Sequence, residues 1–212
     1  MKIVVFGATG GIGKHLVEQA LERGHSVTAV ARNPSAITAS HPNLIVKRGN
    51  VYNCGEVADA IHNQDVVLSA LGSKTPKQAD LVTSTGVRNM LTAMQQVKVH
   101  NIIAVSSIGV GDPKEYTWWL RALLIDFLYK MLAPHQLADI NAMERELMQS
   151  EMNWVIVRPT TLTNGRRRGR YHVSSDSKRG IRLYVSRADV ADVMLNLAET
   201  ASRKREILHV GY

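Results

Sequence analysis

Candidate chemistry in this chain begins at Gly7-Ala8-Thr9-Gly10-Gly11-Ile12-Gly13. This turn lies between an apolar run, Ile3-Val4-Val5-Phe6, and a stretch from Lys14 to Arg23 that reads as a helix. A helix opening directly from such a turn offers unpaired backbone N–H groups and the positive end of its dipole, and a diphosphate is the natural occupant. Gly7 permits the tight turn, Gly10 lets phosphates approach the backbone, and Gly13 lets the helix pack close against the strand. Ala8, Thr9, Gly11 and Ile12 complete the cradle. The bland alternative is a plain strand-to-helix turn, but the strand before it and a second strand after it favour dinucleotide binding.

That second strand, Ser26-Val27-Thr28-Ala29-Val30, runs into Ala31-Arg32-Asn33-Pro34. An NAD-specific site ends this strand in a carboxylate for the ribose 2′-hydroxyl, whereas an NADP site offers a guanidinium to the 2′-phosphate. Arg32 therefore points to NADP(H), the alternative being a solvated loop residue. Further strand ends carry Asn50-Val51, Leu71-Gly72-Ser73, Ser106-Ser107 and Pro159-Thr160-Thr161. In open parallel sheets ligands bind outside the carboxyl ends of the strands. These residues then trace one line, with phosphates at the first turn, adenine near Asn50 and nicotinamide near Ser106, Ser107 and Pro159. Asn50 can equally serve only its turn, and Ser107 can equally serve only the strand end.

Apolar strands alternating with helices have to hold these residues in place. Leu44-Ile45-Val46, Asp65 to Leu71, Ile102-Ile103-Ala104-Val105 and Trp154-Val155-Ile156-Val157 read as strands. Glu56 to His62, Asp80 to Val97, Leu137 to Gln149 and Ala188 to Glu199 read as helices, the last with Ser186 as N-cap. Consecutive apolar residues in each strand indicate a parallel sheet buried on both faces. The expected fold is α/β: a Rossmann-like doubly wound parallel sheet with helices on both faces, in a single domain spanning 1–212. Segments of about 109–135 and 160–185 are expected on the substrate side.

Composition agrees with one globular domain. Lys and Arg number 26 against 18 Asp and Glu, a formal net charge of +8. No nucleic-acid recognition motif accompanies that charge, so no nucleic-acid partner is expected. One cysteine, Cys54, excludes an internal disulfide, and no metal site is expected. Met1-Lys2 runs straight into the first strand and no apolar stretch approaches the ~20 residues of a spanning helix, so a cytoplasmic protein without a membrane partner is expected.

Two stretches stand apart from this scheme. Tyr116 to Leu132 is strongly apolar and holds Trp118, Trp119, Phe127 and Tyr129, with Pro134 ending it. Core helix, pocket wall and association surface compete for it, and Trp118 is a candidate substrate contact, with a monomer or homodimer as the assembly. Thr160 to Arg170 reads as a polar loop carrying Arg166, Arg167, Arg168 and Arg170. Arg166 and Arg168 are candidates to attract an anionic acceptor, against a merely solvated basic loop.

Lys2-Ile3-Val4-Val5-Phe6-Gly7-Ala8-Thr9-Gly10, Val105-Ser106-Ser107, Asn153-Trp154-Val155-Ile156-Val157-Arg158-Pro159 and Ser186-Arg187-Ala188-Asp189-Val190-Ala191 together resemble the atypical branch of the short-chain dehydrogenase/reductase superfamily. Within it the chain is similar to the NmrA-like NAD(P)H-binding proteins that include biliverdin-IXβ reductase/flavin reductase. The resemblance implies a Rossmann domain, NADPH, and hydride transfer to a bulky planar acceptor such as a flavin. It also places Ser107 beside the nicotinamide as the catalytic candidate. The histidine that those reductases carry after the proline of strand six falls on Thr161, which puts biliverdin itself in doubt. None of the tyrosines has a lysine four positions on, since Tyr116 meets Leu120 and Tyr129 meets Ala133. Alcohol dehydrogenation by a Tyr-x-x-x-Lys pair is therefore disfavoured. A non-catalytic NADP(H)-binding regulator, with the aromatic segment as its partner surface, is the reading from another class.

Overall fold

The structure, a computed structural model, describes residues 1–73, 80–110, 134–176, 184–200 and 205–212. Its strands are β1 (Lys2–Phe6), β2 (Ser26–Ala31), β3 (Leu44–Arg48), β4 (Val66–Ser69), β5 (Asn101–Val105), β6 (Asn153–Pro159), β7 (Thr161–Thr163), β8 (His172–Ser174), β9 (Tyr184–Ser186) and β10 (Glu206–Gly211). Eight of them form the central sheet, in the order β3-β2-β1-β4-β5-β6-β10-β8. All neighbours in it pair in parallel except β8, which runs antiparallel to β10 at the edge. The helices are α1 (Gly11–Glu22), α2 (Cys54–Ile61), α3 (Val82–Val97), α4 (Pro134–Gln149) and α5 (Arg187–Thr200).

The unbroken apolar run of β1 follows from this layering. Successive side chains of a strand point to opposite faces, so both faces must be apolar when both are covered. Ile3 and Val5 face a core with Leu16 and Val17 of α1 and Val190 and Met194 of α5. Val4 and Phe6 face the other core, with Ile61 of α2, Met90 of α3 and Met143 and Leu147 of α4. All four β1 side chains are fully buried. Each contributes on the order of 2 kcal/mol of transfer free energy, which is why a polar residue is not tolerated in this run.

Local signals set the element ends. Asn53 caps α2: its side-chain oxygen accepts from the N–H groups of Gly55 (3.0 Å) and Glu56, while Glu56 returns to accept from Asn50 N (2.6 Å). The cap thus also holds the Asn50-Val51 turn at the end of β3. Asn53→Ala is expected to lower stability by about 1 kcal/mol in urea denaturation; an unchanged midpoint would remove the cap from the account. At α5 the Ser186 hydroxyl accepts from Asp189 N at 3.0 Å and donates to its carboxylate at 2.7 Å, so the expected N-cap is present.

Two expectations need correcting. α1 begins at Gly11, not Lys14, because residues of a first turn lack intrahelical N–H partners and glycine costs little there. The stretch after β6 is not simply a polar loop either. β7 pairs in parallel with β9 in a small second sheet. Its backbone partner lies far along the chain, beyond the reach of local reading. Among the described residues no helix is long and apolar enough to cross a membrane.

Candidate functional site

The strand order reverses between β1 and β4, and there the chain leaves room for a ligand. Gly7 closes β1 with φ +79°, and a Cβ on it would fall 2.4 Å from the Ala70 carbonyl oxygen at the end of β4. Only glycine satisfies both the left-handed conformation and the close approach. Gly13 meets the end of β1 from the helix side, where a Cβ would lie 2.0 Å from Gly7 O. The helix therefore starts directly against the sheet, in the manner expected of the third glycine. No side chain caps α1 at Gly10 and its first turn holds no acid. The positive end of the helix accordingly faces the cleft without internal compensation.

Two adjoining pockets flank this turn and share Thr9, Gly10, Ala70, Leu71 and Gly72. The smaller, about 100 Å³, is lined by Arg32, Asn50, Val51 and Tyr52 among others. The Arg32 guanidinium is exposed, and no carboxylate pairs with it among the described residues. Asn50 Oδ1 accepts from Tyr52 N at 3.2 Å, so its side chain does serve the turn. Tyr52 was not legible as a site residue. Its hydroxyl donates to the Asp80 carbonyl, and burial, then the neighbouring Asp80 carboxylate, push its pKa up. Ser73, which lines the larger pocket, donates to Asp80 Oδ2 at 2.7 Å, so residues of the two pockets share one aspartate.

The larger pocket, about 710 Å³, extends from Thr9, Gly10, Gly11 and Ile12 past Ser106 and Ser107 to Pro159, Thr160 and Thr161. The strand-end residues Arg32, Asn50, Ser73, Ser106, Ser107, Pro159 and Thr160 border the two adjoining pockets, because a parallel sheet brings all its carboxyl ends to one edge. The two serines differ in what they do. Ser106 donates its hydroxyl to Glu144 Oε1, and Glu144 is held by Arg158 Nε at 2.9 Å and Nη2 at 2.7 Å. Glu144 and Arg158 are each 2% exposed, so this bidentate pair is a buried charge pair beneath the floor of the cleft. Ser107 only accepts a long contact from Gly109 N at 3.4 Å, leaving its O–H without an acceptor among the described residues. Thr160 is buried, and its hydroxyl lacks a partner among the described residues.

The arginine loop is placed elsewhere. Neither Arg166 nor Arg168 lines either pocket, and this departs from the expectation that they meet an acceptor. Arg167 instead reaches Glu22 at 3.4 Å on α1, and the Arg168 guanidinium stacks over the Tyr212 ring, 4.8 Å from its centroid. The physical cause is Asp189, which accepts from the N–H groups of Arg168 (2.8 Å) and Gly169 (2.9 Å) and binds the loop to the start of α5. Burial pushes the Asp189 carboxyl up, but hydrogen bonds from Tyr212, Ser186, Gly169 and Arg168 outweigh it and hold the pKa below the usual value. Thr161 does line the cleft, while Trp118 falls outside the described residues. The cleft also gains Gln136 and Ile140 of α4, Leu162, and Arg187, for which the sequence carried no more than the Ser-Arg-x-Asp pattern.

The model of a family described as NAD(P)H-binding matches residues 7–201. The uncharacterized protein YwnB of Bacillus subtilis (strain 168) is 26% identical over 97% of this chain and 96% of its own length. Among solved structures, ChuY, an anaerobillin reductase from Escherichia coli O157:H7, superposes with a TM-score of 0.82 at 22% identity, over 100% of this chain and 97% of that one. A short-chain dehydrogenase/reductase from Veillonella parvula DSM 2008 in complex with NADP gives a TM-score of 0.81 at 21% identity, over 100% of this chain and 94% of that one. At these identities the structural likenesses speak for the fold.

Proposed function

We propose, since this chain belongs to the NAD(P)H-binding family, that it is an NADPH-dependent reductase of a flavin or a similar planar acceptor. One observation carries the choice of acceptor: Arg187 is the only ionisable side chain among the described residues lining the larger pocket. A carbonyl reductase needs a positioned proton donor of matched pKa, and neither a histidine, a carboxylate nor a Tyr/Lys pair stands among those residues. A bound reduced nicotinamide supplies a hydride, and a flavin can accept it while taking its proton from water.

The chain's own part is then binding and orientation. Arg32 holds the 2′-phosphate that distinguishes NADPH from NADH. The Gly10–Ile12 backbone holds the diphosphate, and the Ser107 hydroxyl, which has no competing acceptor among the described residues, orients the carboxamide or the acceptor's carbonyl. Pro159, Thr160 and Thr161 line the far wall, against which the nicotinamide would rest. Positioning of this kind is where most of the rate is expected to arise.

Purified protein is expected to oxidise NADPH when FMN or riboflavin is added, with Ser107→Ala lowering kcat/KM about tenfold for the loss of one positioned hydrogen bond. Absorbance at the reduced-nicotinamide band reads both. NADPH binding without turnover on either flavin would overturn the reductase and favour the non-catalytic NADP(H)-binding regulator.

A further inference from the structure

The glycine at position 11 has no explanation in the turn itself. Its backbone is not left-handed, unlike that of Gly7. A Cβ on Gly7 or Gly13 would strike backbone, but on Gly11 it would strike a side chain, 2.6 Å from Cδ and 2.8 Å from Nε of Arg187. A Cβ at position 11 would therefore displace Arg187, the far end of whose side chain lies across the start of α1.

Arg187 opens α5 and lines the same cleft as Thr9, Gly10 and Gly11. Its Nη1 donates to Asn164 Oδ1 at 2.7 Å and, at 3.4 Å, to the Leu162 carbonyl. These neutral acceptors fix the head group without cancelling its charge. Arg23, Arg88, Arg158, Arg167 and Arg205 each reach a carboxylate, whereas Arg187 reaches none among the described residues. A half-buried, pre-oriented and uncompensated guanidinium beside an uncapped helix start is built for an anion, and both charges act on the same point. Thr160, whose hydroxyl lacks a partner among the described residues, is one of the residues lining that same cleft.

We propose that Arg187 clamps the diphosphate of the dinucleotide against the start of α1, and that residue 11 is glycine to admit this side chain. The proposal rests on the cofactor reading above and adds to it a residue remote in sequence from the glycine turn. It also makes Asn164 a positioning residue, acting only through Arg187.

The test is fluorescence or calorimetric titration of the full chain with NADPH and with adenosine 2′-monophosphate, which keeps the 2′-phosphate and lacks the diphosphate. Arg187→Ala is expected to weaken NADPH about ten- to a hundredfold, the loss of a charge-assisted contact, and to change adenosine 2′-monophosphate by less than about twofold. Gly11→Ala is expected to weaken NADPH by displacing Arg187, and to cost nothing more when added to Arg187→Ala, since the clash has then gone. Arg187→Lys, which keeps the charge and loses the fork, is expected to fall between. Thermal melts establish that each variant folds, and should Arg187→Ala not fold, Arg187→Lys against the parent reads the same contrast. Unchanged NADPH affinity, equal weakening of both ligands, or full additivity of Gly11→Ala and Arg187→Ala would each overturn the clamp. Unmodified chain that binds adenosine 2′-monophosphate and not NADPH overturns it too; unmodified chain that binds neither overturns the cofactor reading itself.

Discussion

Glu144→Ala is expected to lower the free energy of unfolding by about 3–5 kcal/mol, the cost of leaving one member of a buried charge pair behind. Arg158 donates to Glu144 from two nitrogens, and Ser106 adds a third donor to the same carboxylate. With the carboxylate gone, the guanidinium in β6 loses the two hydrogen bonds it makes to Glu144 and the hydroxyl at the end of β5 loses one. Arg158, 2% exposed, stays buried beneath the cleft in that case, whereas Ser106 borders the cleft itself. The pair itself is not expected to be a large net stabiliser, because desolvating two charges offsets most of their attraction. Glu144→Leu combined with Arg158→Met is thus expected to recover much of the loss seen in either single variant. Urea unfolding of the two single variants and the double variant tests this directly. Additive losses, or a single-variant loss below about 1 kcal/mol, would mean that the pair is hydrated and does not organise the floor.

Arg32→Glu is expected to raise the Kd for NADPH by about a hundredfold or more while changing that for NADH by less than about threefold. The 2′-phosphate is the only difference between the two cofactors and carries between one and two negative charges near neutrality. Arg32 lines the smaller pocket with no carboxylate partner among the described residues, so its charge is uncommitted. Charge reversal removes an attraction and adds a repulsion at one site, which is why the effect exceeds that of a neutral substitution. Because Arg32 is exposed, the difference is expected to shrink as salt is raised. Equal weakening of both cofactors would place the phosphate elsewhere.

Local physics accounts for what was legible in the linear chain. A strand covered on both faces must be apolar at every position, so Ile3 to Phe6 announced a central parallel strand. A helix that starts against a strand end needs glycine where backbones meet, so Gly7 and Gly13 announced the turn. Strand ends in a parallel sheet share an edge, and so Arg32, Asn50, Ser73, Ser106, Ser107, Pro159 and Thr160 could be assigned to one groove from residue order alone. The boundary at Gly11 was missed because helix propensity disfavours glycine, whereas a first turn barely feels that penalty.

Other properties depend on who meets whom across the fold. Three arginines in a row, with a fourth two residues on, announce positive charge, but where that charge acts is set by Asp189, Glu22 and the Tyr212 ring, none of them neighbours in sequence. Ser106 and Ser107 are indistinguishable by type and both line the cleft; folding gives the hydroxyl of one to Glu144 and leaves that of the other without an acceptor among the described residues. Gly11 and Arg187 say nothing to one another in the linear chain, and only the packing of α5 beside α1 lays the one across the other. Fold, glycine turn and the strand ends that border the groove are thus written in residue order, because backbone conformation and burial pattern are short-range properties. Which charges are spent on the fold and which remain for a ligand is settled only by packing, because compensation of a charge depends on partners that folding alone brings within a few ångströms.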